Sequence, residues 1–317
     1  MHLPLTLRSR YQEHLSQSGG SIFSQPWWWD AVAGPDNWSV AICEDSQRIL
    51  AALPYYHGTK AGLISWVRMP PLTPYLEVSF AEKDGKESTR QRHKEKCIEQ
   101  VIGGLPRSHY VNILLHPDTP AMNWNPLGLR SKLELTYVLP QIADHDFLFA
   151  QFESQARNHI RTAQKKLIIR PATTTELYQV LIKTFAKQKI KTPFGLDFLE
   201  GIIQGLEANG NYLMLCAIDS DDKIHAANLT VFDQHTAYNL ITGSDPTLHQ
   251  SGAVSYLMWH AIKQVSASVK NYNFEGGMIP RIASLYRSLG GEKKSYTRLY
   301  GSKNNLLTGA LTMVGKF

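Results

Sequence analysis

Three strand-like segments in a row, followed by a long amphipathic helix and another strand, constrain this chain more than any other feature. The three segments cover residues 211–219, 223–233 and 235–245, and short polar turns separate them. The helix covers residues 251–269. Its apolar side chains recur at the spacing of one helical face, and they are Val254, Leu257, Met258, Ala261, Ile262 and Val265. Strands on both sides of a helix imply a right-handed crossover onto a sheet.

The remaining chain divides into two halves, for which we predict domains at 1–132 and 133–317. In the second half the predicted order is β, α, β, α, α, β, β, β, α, β, α, β. Thr174 or Thr175 is expected to cap the first helix of the helix pair. The first half shows an aromatic helix, strand-like runs, a proline-rich extended connection, a charge run typical of a loop that leads into a solvated helix, and a buried strand. Their ranges are 21–32, 38–45, 48–58, 69–78, 81–97 and 109–118.

Composition excludes several classes of protein. The 317 residues are 43% hydrophobic and 19% charged, which is typical of folded rather than disordered chains. No apolar run is long enough to predict a transmembrane helix, and the first residues lack the pattern of a secretory signal.

Cys43, Cys97 and Cys216 are far apart in sequence and odd in number, so we expect reduced thiols in a cytoplasmic protein. The net charge of +6 favours anionic partners, or is ordinary variation.

The loop before the long helix is a candidate anion site. A helix N-terminus presents free amide groups, which can hold a pyrophosphate. The alternative is a plain loop closed by a serine cap. The candidate cofactor-binding residues are Ser244, Gln250, Ser251, Gly252 and Ala253.

A second candidate is the densest basic patch in the chain. Arg157, Arg161 and Lys165 recur every four residues in the helix predicted over 147–166, so they share one face. They could grip the phosphates of a nucleic acid or of a nucleotide-linked substrate. The alternative is a solvated helix face.

The third candidate is the stretch 273–301, which reads as strand, glycine pair, helix, glycine pair and strand. Glu275 ends the first of these strands, where it could act as a base or orient an amine, or could cap the next helix. Gly276 and Gly277 would let a substrate approach closely. Tyr286 lies on the apolar stripe of the helix and by its position alone would be core, whereas Tyr296 could face either way. No histidine or cysteine spacing predicts a metal site, and no serine-hydrolase motif is present.

Several segments together resemble a known family. "IASLYRSLGG" resembles the late helix of the GNAT acyltransferase superfamily, and the strand order of the second half resembles a GNAT core. More narrowly, the chain is similar to FemAB-like and BioF2-like acetyltransferase-domain proteins. The segments that carry this likeness are "FSQPWWWDAV", "MPPLTPY", "ARNHIRTAQKK", "GSDP…SGAVSYLMWHAI" and "NFEGGMIPRIASLYRSLGGEKKSYTRLYG".

This resemblance implies an α+β (mixed α/β) fold of tandem GNAT-like domains, the first one abbreviated. Each would be a mixed, mostly antiparallel sheet flanked by helices. It also implies an N-acyltransferase that moves an acyl or aminoacyl group to an amine, from acyl-CoA or aminoacyl-tRNA and without a metal. Fem enzymes of cell-wall synthesis take amino acids from charged tRNA and add them to peptidoglycan precursors. The acceptor would accordingly be a small molecule or an envelope precursor.

The resemblance also implies roles for single residues. Tyr286 matches the tyrosine that protonates the leaving thiolate in GNAT enzymes. Glu275, from its place at the end of a strand, is our candidate to position or deprotonate the amine. The substrate-binding residues would be Arg68, Tyr75, Arg157, Arg161, Lys165 and Tyr296.

The sequence departs from the pattern of GNAT enzymes that bind coenzyme A. Gln250, Gly252 and Ala253 match their Q/R-x-x-G-x-G/A turn only in part, with altered spacing, which moves weight toward aminoacyl-tRNA. A second hypothesis is a non-catalytic ligand-binding or RNA-binding protein that keeps the fold. An RNA-binding protein would show steep salt dependence.

Overall fold

The computed structural model describes residues 5–46 and 48–303. Two compact units are present. The second consists of Leu135–Lys294, and the first consists of the chain on either side of it. The first unit therefore takes up the chain again from Ser295, unlike the predicted division at 132/133. Compactness is a different criterion from domain family, so the predicted domains 1–132 and 133–317 remain a prediction.

The first unit contains an antiparallel meander followed by a helical crossover. Strands β1, β2 and β3 pair antiparallel in order, helix α3 follows, and β5 then pairs parallel to β3. Strand β12 pairs antiparallel with β5, and the short β4 pairs with β2. The helices are α1 (Leu5–Ser18), α2 (Pro26–Ala33) and α3 (Glu87–Gly103). The strands are β1 (Trp38–Asp45), β2 (Arg48–Lys60), β3 (Ile64–Arg68), β4 (Ser79–Phe80), β5 (Tyr110–Leu115) and β12 (Glu292–Gly301).

Aromatic residues fill the core of this unit. Trp28 and Trp29 are fully buried, and each indole N–H donates a hydrogen bond, to the Thr73 hydroxyl and the Phe23 carbonyl respectively. A buried indole needs such a partner, because an unpaired N–H would lose its bonds to water. The tryptophan cluster is thus a core feature.

Two of the three cysteines, which are distant in sequence, meet in this core. Helix α3 packs on β1, and this brings the Sγ atoms of Cys43 and Cys97 to 3.3 Å from each other. All three cysteines are free thiols and buried. Burial, and then the Cys43 thiol, raises the pKa of Cys97 to about 12, so this thiol is protonated at neutral pH.

The second unit repeats the same pattern of meander and crossover. Strands β7, β8, β9 and β10 pair antiparallel in order, and helix α8 then leads to β11, which pairs parallel to β10. Strand β6 pairs antiparallel with β11. The strands are β6 (Leu129–Leu139), β7 (Ile168–Pro171), β8 (Asn211–Ile218), β9 (Ile224–Phe232), β10 (Thr236–Ser244) and β11 (Asn271–Asn273). The helices are α4 (His145–Gln151), α5 (Ser154–Gln164), α6 (Thr174–Lys187), α7 (Leu196–Asn209), α8 (Ala253–Val265) and α9 (Pro280–Ser288).

This architecture confirms the predicted fold class, a mixed and mostly antiparallel α/β fold flanked by helices. Helix α8 packs on β8, β9 and β10 and buries Leu257, Met258 and Ile262. Each such side chain stabilises the fold by about 1.5–3 kcal/mol. The predicted stripe is therefore the core face, apart from Val254, which is only partly buried.

Two local predictions in the second unit are wrong. The single helix predicted over 147–166 is two helices, because Phe152 and Glu153 adopt extended backbone angles between α4 and α5. The cap of α6 is Thr173 rather than Thr174 or Thr175. Thr173 and Glu176 bond each other's backbone N–H groups in a capping box.

Candidate functional site

Strands β10 and β11 part soon after they start to pair. Their parallel register covers three residue pairs and ends at Tyr238↔Asn273. Strand β10 continues for six residues to Ser244, with a bulge between Asn239 and Ile241. In the described part of the chain no strand pairs with this stretch on its β11 side. The backbone there can approach a ligand.

Buried polar side chains lie where the strands part. The Asn239 amide Nδ2 donates to the Phe274 carbonyl at 3.5 Å, and its Oδ1 accepts from the Thr242 hydroxyl at 3.0 Å. The Asn228 Oδ1 is fully buried and accepts no hydrogen bond from any residue that the structure describes. An unsatisfied buried acceptor is uncommon and costs about 1–3 kcal/mol, so it marks a candidate polar site.

Glu275 lies two residues beyond β11 in a strained backbone conformation. Its φ is +54°, which is uncommon for a residue with a side chain, and Asn273 Oδ1 accepts a hydrogen bond from its backbone N–H at 3.0 Å. Such strain is concentrated at functional sites. The N-cap residue of α9 is Ile279 rather than Glu275, and the alternative in which the Glu275 carboxylate interacts with the start of this helix stays a prediction.

Gly276 and Gly277, which follow Glu275, are glycine for different structural reasons. Both have positive φ, at +76° for Gly276 and +147° for Gly277. A Cβ on Gly277 would lie 2.9 Å from the Tyr137 ring, whereas nothing lies within 4 Å of one on Gly276. Packing explains Gly277, and only Gly276 leaves open space for the predicted close approach of a substrate.

Tyr286 is a buried phenol beside Glu275. It is 6% exposed, and its ring stacks on Phe274 with centroids 5.0 Å apart. Its hydroxyl makes no hydrogen bond within residues 5–46 and 48–303. Burial, and then the charge of Glu275, raises the pKa of Tyr286 well above its usual value of 10.0. The phenol is therefore protonated at neutral pH, as a general acid has to be.

The predicted anion-binding turn lies at the start of α8. Ser244 ends β10, and its backbone N–H donates to the Thr184 hydroxyl at 2.8 Å. Gln250 and Ser251 end a short 3₁₀ helix, Pro246–Ser251. Gly252 is the N-cap, with φ at +75°, and Ala253 is the first helical residue. The Ser251 hydroxyl accepts from the Ala253 N–H at 3.3 Å, so this turn already uses one of the free amides.

Helix α5 closes against this turn. A Cβ on Gly252 would lie 2.5 Å from the His159 carbonyl oxygen of α5. Glycine is needed there both by its positive φ and by this contact.

The basic patch on α5 is only partly available to a ligand. Arg157 donates hydrogen bonds to the carbonyls of Phe152 and Ala150, the latter at 2.9 Å, and so satisfies carbonyls at the end of α4. Arg161 is exposed, with its guanidinium 5.4 Å from the Phe149 ring centroid, and Lys165 is exposed. The helix does present these side chains, but Arg157 has a structural role.

The other predicted substrate-binding residues belong to the first unit. Arg68 ends β3, where its guanidinium lies 4.3 Å from the Trp66 ring centroid. Tyr75 is 1% exposed, and its ring centroid is 5.9 Å from that of Tyr296, which is also buried. The structure brings Tyr75 and Tyr296 together as core residues, and their role in substrate binding stays a prediction.

Sequence reasoning missed Asn228 and Asn239. Both lie inside strands, and the signal was the polar pair Asn228 and Thr230 within "IHAANLTVF". The alternation of polar and apolar residues alone did not assign Asn228 and Asn239 to a site. Among the described residues, no group of histidine, cysteine, aspartate and glutamate side chains is placed to hold a metal ion.

One family model matches most of the second unit. Residues 151–277 match the family model described as an acetyltransferase (GNAT) domain. This part of the chain is therefore similar to GNAT-type acetyltransferase domains. The matched range includes β7 to β11 and Glu275, while Tyr286 follows it. No curated protein sequence matches the chain.

Solved structures share the fold over nearly the whole chain. The chain is similar to FemX, with a TM-score of 0.66 and 11% identity, over 98% of this chain and 99% of that one. It is also similar to the C-terminal domain of a putative lysylphosphatidylglycerol synthetase from Agrobacterium fabrum, with a TM-score of 0.54 and 13% identity, over 97% and 95% of the two chains. L-PGS from Bacillus licheniformis gives a TM-score of 0.54 at 10% identity, over 96% and 95%.

At these identities the likeness establishes the fold alone. The family match over residues 151–277 confirms the predicted GNAT resemblance, and the structure of FemX is among the similar ones. The narrower BioF2-like resemblance stays a prediction. In the described residues, none of the helices is both long and apolar enough to cross a membrane.

Proposed function

We propose that the second unit is a Fem-type N-acyltransferase. It would transfer an acyl or aminoacyl group from acyl-CoA or aminoacyl-tRNA to an amine, and the amine would belong to a cell-envelope precursor. The observation that carries this proposal is the parting of β10 and β11 beside a protonated buried phenol. The GNAT family match supports the reaction class, and the similarity to FemX supports the Fem-type branch.

The proposed reaction has one nucleophilic attack and two proton transfers. The neutral amine nitrogen attacks the donor carbonyl carbon, and a tetrahedral oxyanion forms. The carbon–sulfur bond of a thioester, or the carbon–oxygen bond of an aminoacyl ester, then breaks. Glu275 accepts the proton that the amine loses, directly or through water, and the Tyr286 hydroxyl protonates the departing sulfur or oxygen. Holding both reactants between rigid strands lowers the entropic barrier to the attack.

The unpaired backbone of β10 fits the oxyanion step. A strand that has lost its neighbour presents N–H groups that a developing negative charge can use. Asn239 bridges to Phe274 at the point where the strands part, and it would hold the gap at a fixed width. We assign Asn239 a positioning role.

The charged groups around the site suit a phosphate-bearing donor. Gly252 starts α8 without an acidic residue in the first turn, and the positive end of a helix dipole attracts anions. Arg161 on α5 and Lys165 at its C-cap would add contacts to phosphates. The proposal keeps both acyl-CoA and aminoacyl-tRNA as donors, because the altered turn before α8 and the basic helix α5 can bind the phosphates of either. Since cells make both donors in the cytoplasm, we propose that location.

Donor binding is the first test. Thermal unfolding would be followed with coenzyme A, acetyl-CoA, aminoacyl-tRNA and uncharged tRNA, each at low and moderate salt. We expect a saturable rise in the unfolding temperature with acetyl-CoA, or with charged but not uncharged tRNA. Transfer of the radiolabelled group to an added amine would then follow.

A charge-matched control tests whether donor binding depends on the basic patch, and the transfer assay separates an enzyme from a binding protein. Arg161→Gln with Lys165→Gln should weaken donor binding, whereas Lys293→Gln with Lys294→Gln removes the same charge from exposed positions elsewhere. Binding without any transfer would favour the non-catalytic alternative. If none of the donors shifts unfolding, the proposed reaction is wrong.

A further inference from the structure

A groove lies between α6 and the loop that follows it, separate from the place where β10 and β11 part. Its volume is about 570 Å³, and Tyr178, Ile182, Ile190, Lys191 and Phe194 line it together with their neighbours. The Tyr178 hydroxyl donates to the Phe194 carbonyl at 3.3 Å, which ties the loop to the helix. The groove therefore has aromatic walls held by a tertiary contact.

Two large aliphatic side chains are exposed at this groove. Ile182 is 46% exposed and Ile190 is 52% exposed. A single exposed isoleucine needs no explanation. Two of them at the same groove form an apolar patch, and such patches mark interaction sites when charged residues surround them.

The segment that lines the groove carries only positive charges. Between Glu176 and Asp197 the sequence has four lysines and no acidic residue. Lys183 pairs with Asp245 at 2.7 Å. The other three, Lys187, Lys189 and Lys191, are exposed and form no ion pair within the described part of the chain.

A tight turn after α6 carries Lys189 and Ile190. Lys189 has a φ of +58°, and the Ile190 N–H donates to the Phe185 carbonyl at 3.2 Å, which closes a tight turn after α6. The turn sets Lys187 on one side of Ile190 in the chain, and Lys191 follows directly. Cationic and aliphatic groups thus alternate over one short exposed segment.

We propose that this segment docks the protein on the anionic surface of a lipid bilayer. Isoleucine side chains gain by entering the interfacial region, and lysines gain by approaching lipid phosphates. Both features are needed, because one lysine cluster alone would fit many anions and one apolar patch alone would fit many proteins. The inference goes beyond the proposed transfer reaction and does not depend on it.

Vesicle co-sedimentation tests the proposal on the full chain. The probes are vesicles of phosphatidylcholine alone and of equal parts phosphatidylcholine and phosphatidylglycerol, each at low and physiological ionic strength. We expect binding to the mixed vesicles that weakens with salt, since surface charges are screened over about 10 Å at 0.1 M. The triple variant Lys187→Gln, Lys189→Gln, Lys191→Gln should lower partition about 100-fold, at about fivefold per lysine.

Two further variants separate docking from general charge. Ile182→Ser with Ile190→Ser should lower partition about tenfold at both ionic strengths, because the apolar contribution is not screened. Lys270→Gln, Lys293→Gln, Lys294→Gln removes the same total charge from exposed positions and should change partition less than fivefold. Thermal unfolding of each variant checks that it is folded.

Three outcomes would overturn the proposal. These are no binding of the unaltered protein to mixed vesicles, equal losses in the two triple variants, and no loss in the isoleucine variant. Binding of an RNA oligonucleotide through these lysines without vesicle binding would also overturn it. Because no acyl donor is present, failure here leaves the proposed transfer reaction standing, and failure of the donor assay leaves this proposal standing.

Discussion

The two units contain the same crossover but differ in how far their parallel strands pair. In the first unit, β3 pairs with β5 up to Arg68, its last residue, so the whole strand end is used. In the second unit, β10 pairs with β11 over its first three residues and then continues with β9 on its other side but no strand on its β11 side in the described part of the chain. The same topology therefore gives a closed edge in one unit and an open backbone in the other.

The first turns of the two crossover helices, α3 and α8, also differ between the units. Helix α3 has Glu87 in its first turn, whereas α8 begins at a glycine and has no acidic residue there. A carboxylate in the first turn occupies the positive end of the helix dipole and competes with a bound anion. Strand length and the residue type of one helical turn thus distinguish the candidate site from a structural repeat.

The largest expected effect is on the chemistry at the open edge. Tyr286→Phe should lower the transfer rate at least 100-fold, because the departing group loses its proton donor. Stability should change little, since the lost hydroxyl has no hydrogen bond in the described structure. Single-turnover kinetics with the donor found by thermal unfolding would measure the rate.

The matched control is Tyr272→Phe. Tyr272 is fully buried in the same unit, and its hydroxyl lies 3.3 Å from that of Thr230. Losing this bond should destabilise the protein by about 1 kcal/mol and leave the rate nearly unchanged. A normal rate in the Tyr286 variant would remove Tyr286 from the mechanism.

The start of α8 should be intolerant of a side chain. Gly252→Ala would require a strained positive φ and a displacement of His159, so we expect a loss of about 3 kcal/mol in the free energy of unfolding. Gly195→Ala, at the N-cap of α7, has an ordinary φ and open space around it. Urea unfolding of both variants would measure the difference, and equal losses would contradict the contact between α5 and α8.

A smaller effect concerns acid stability at the end of β10. Lys183, and then Thr247, lowers the pKa of Asp245 to about 2. Because the folded pKa lies below the unfolded value of about 3.9, the stabilisation is complete above that value and is lost as pH falls toward 2. Asp245→Asn should therefore cost about 1 kcal/mol at pH 7, and the difference from the unaltered protein should shrink below pH 4.

Thermal unfolding as a function of pH would test this. The control is Asp221→Asn, which removes an exposed partner of Lys223 and should give a small difference. A pH-independent difference for Asp245→Asn would show that the hydrogen bonds to Thr247, rather than the charge, stabilise this turn.

The smallest expected effect on stability is the release of backbone strain at Glu275. Glu275→Gly relieves a positive φ, so stability should rise by about 0.5 kcal/mol after the added freedom of the unfolded chain is subtracted. Transfer activity should fall, because the carboxylate is gone. Asp222→Gly, at a φ of +57° in a hairpin turn, should show the same gain and keep the activity. A gain in activity with Glu275→Gly would exclude the proposed base.

The sequence was sufficient for the order of elements in the second unit, because long apolar periodicities dominate there. It missed β3, a short strand whose ends are exposed, and it missed the break at Phe152, where the apolar pattern continues although the helix stops. The roles of Tyr286, suggested by the family resemblance, and of Glu275, suggested by its place at the end of a strand, stay predictions. The strain at Glu275, the internal use of Arg157 and the burial of Tyr75 depend on tertiary contacts that one sequence does not encode visibly.

The division of the chain into units has a consequence for protein synthesis. The second unit is one continuous segment, Leu135–Lys294, while the first unit needs β12 to pair with β5. A chain that emerges from the ribosome in order therefore completes the second unit first. The first unit, although it starts earlier, leaves one edge of β5 unpaired until the last strand is made, and this edge is open to wrong strand pairing during that interval.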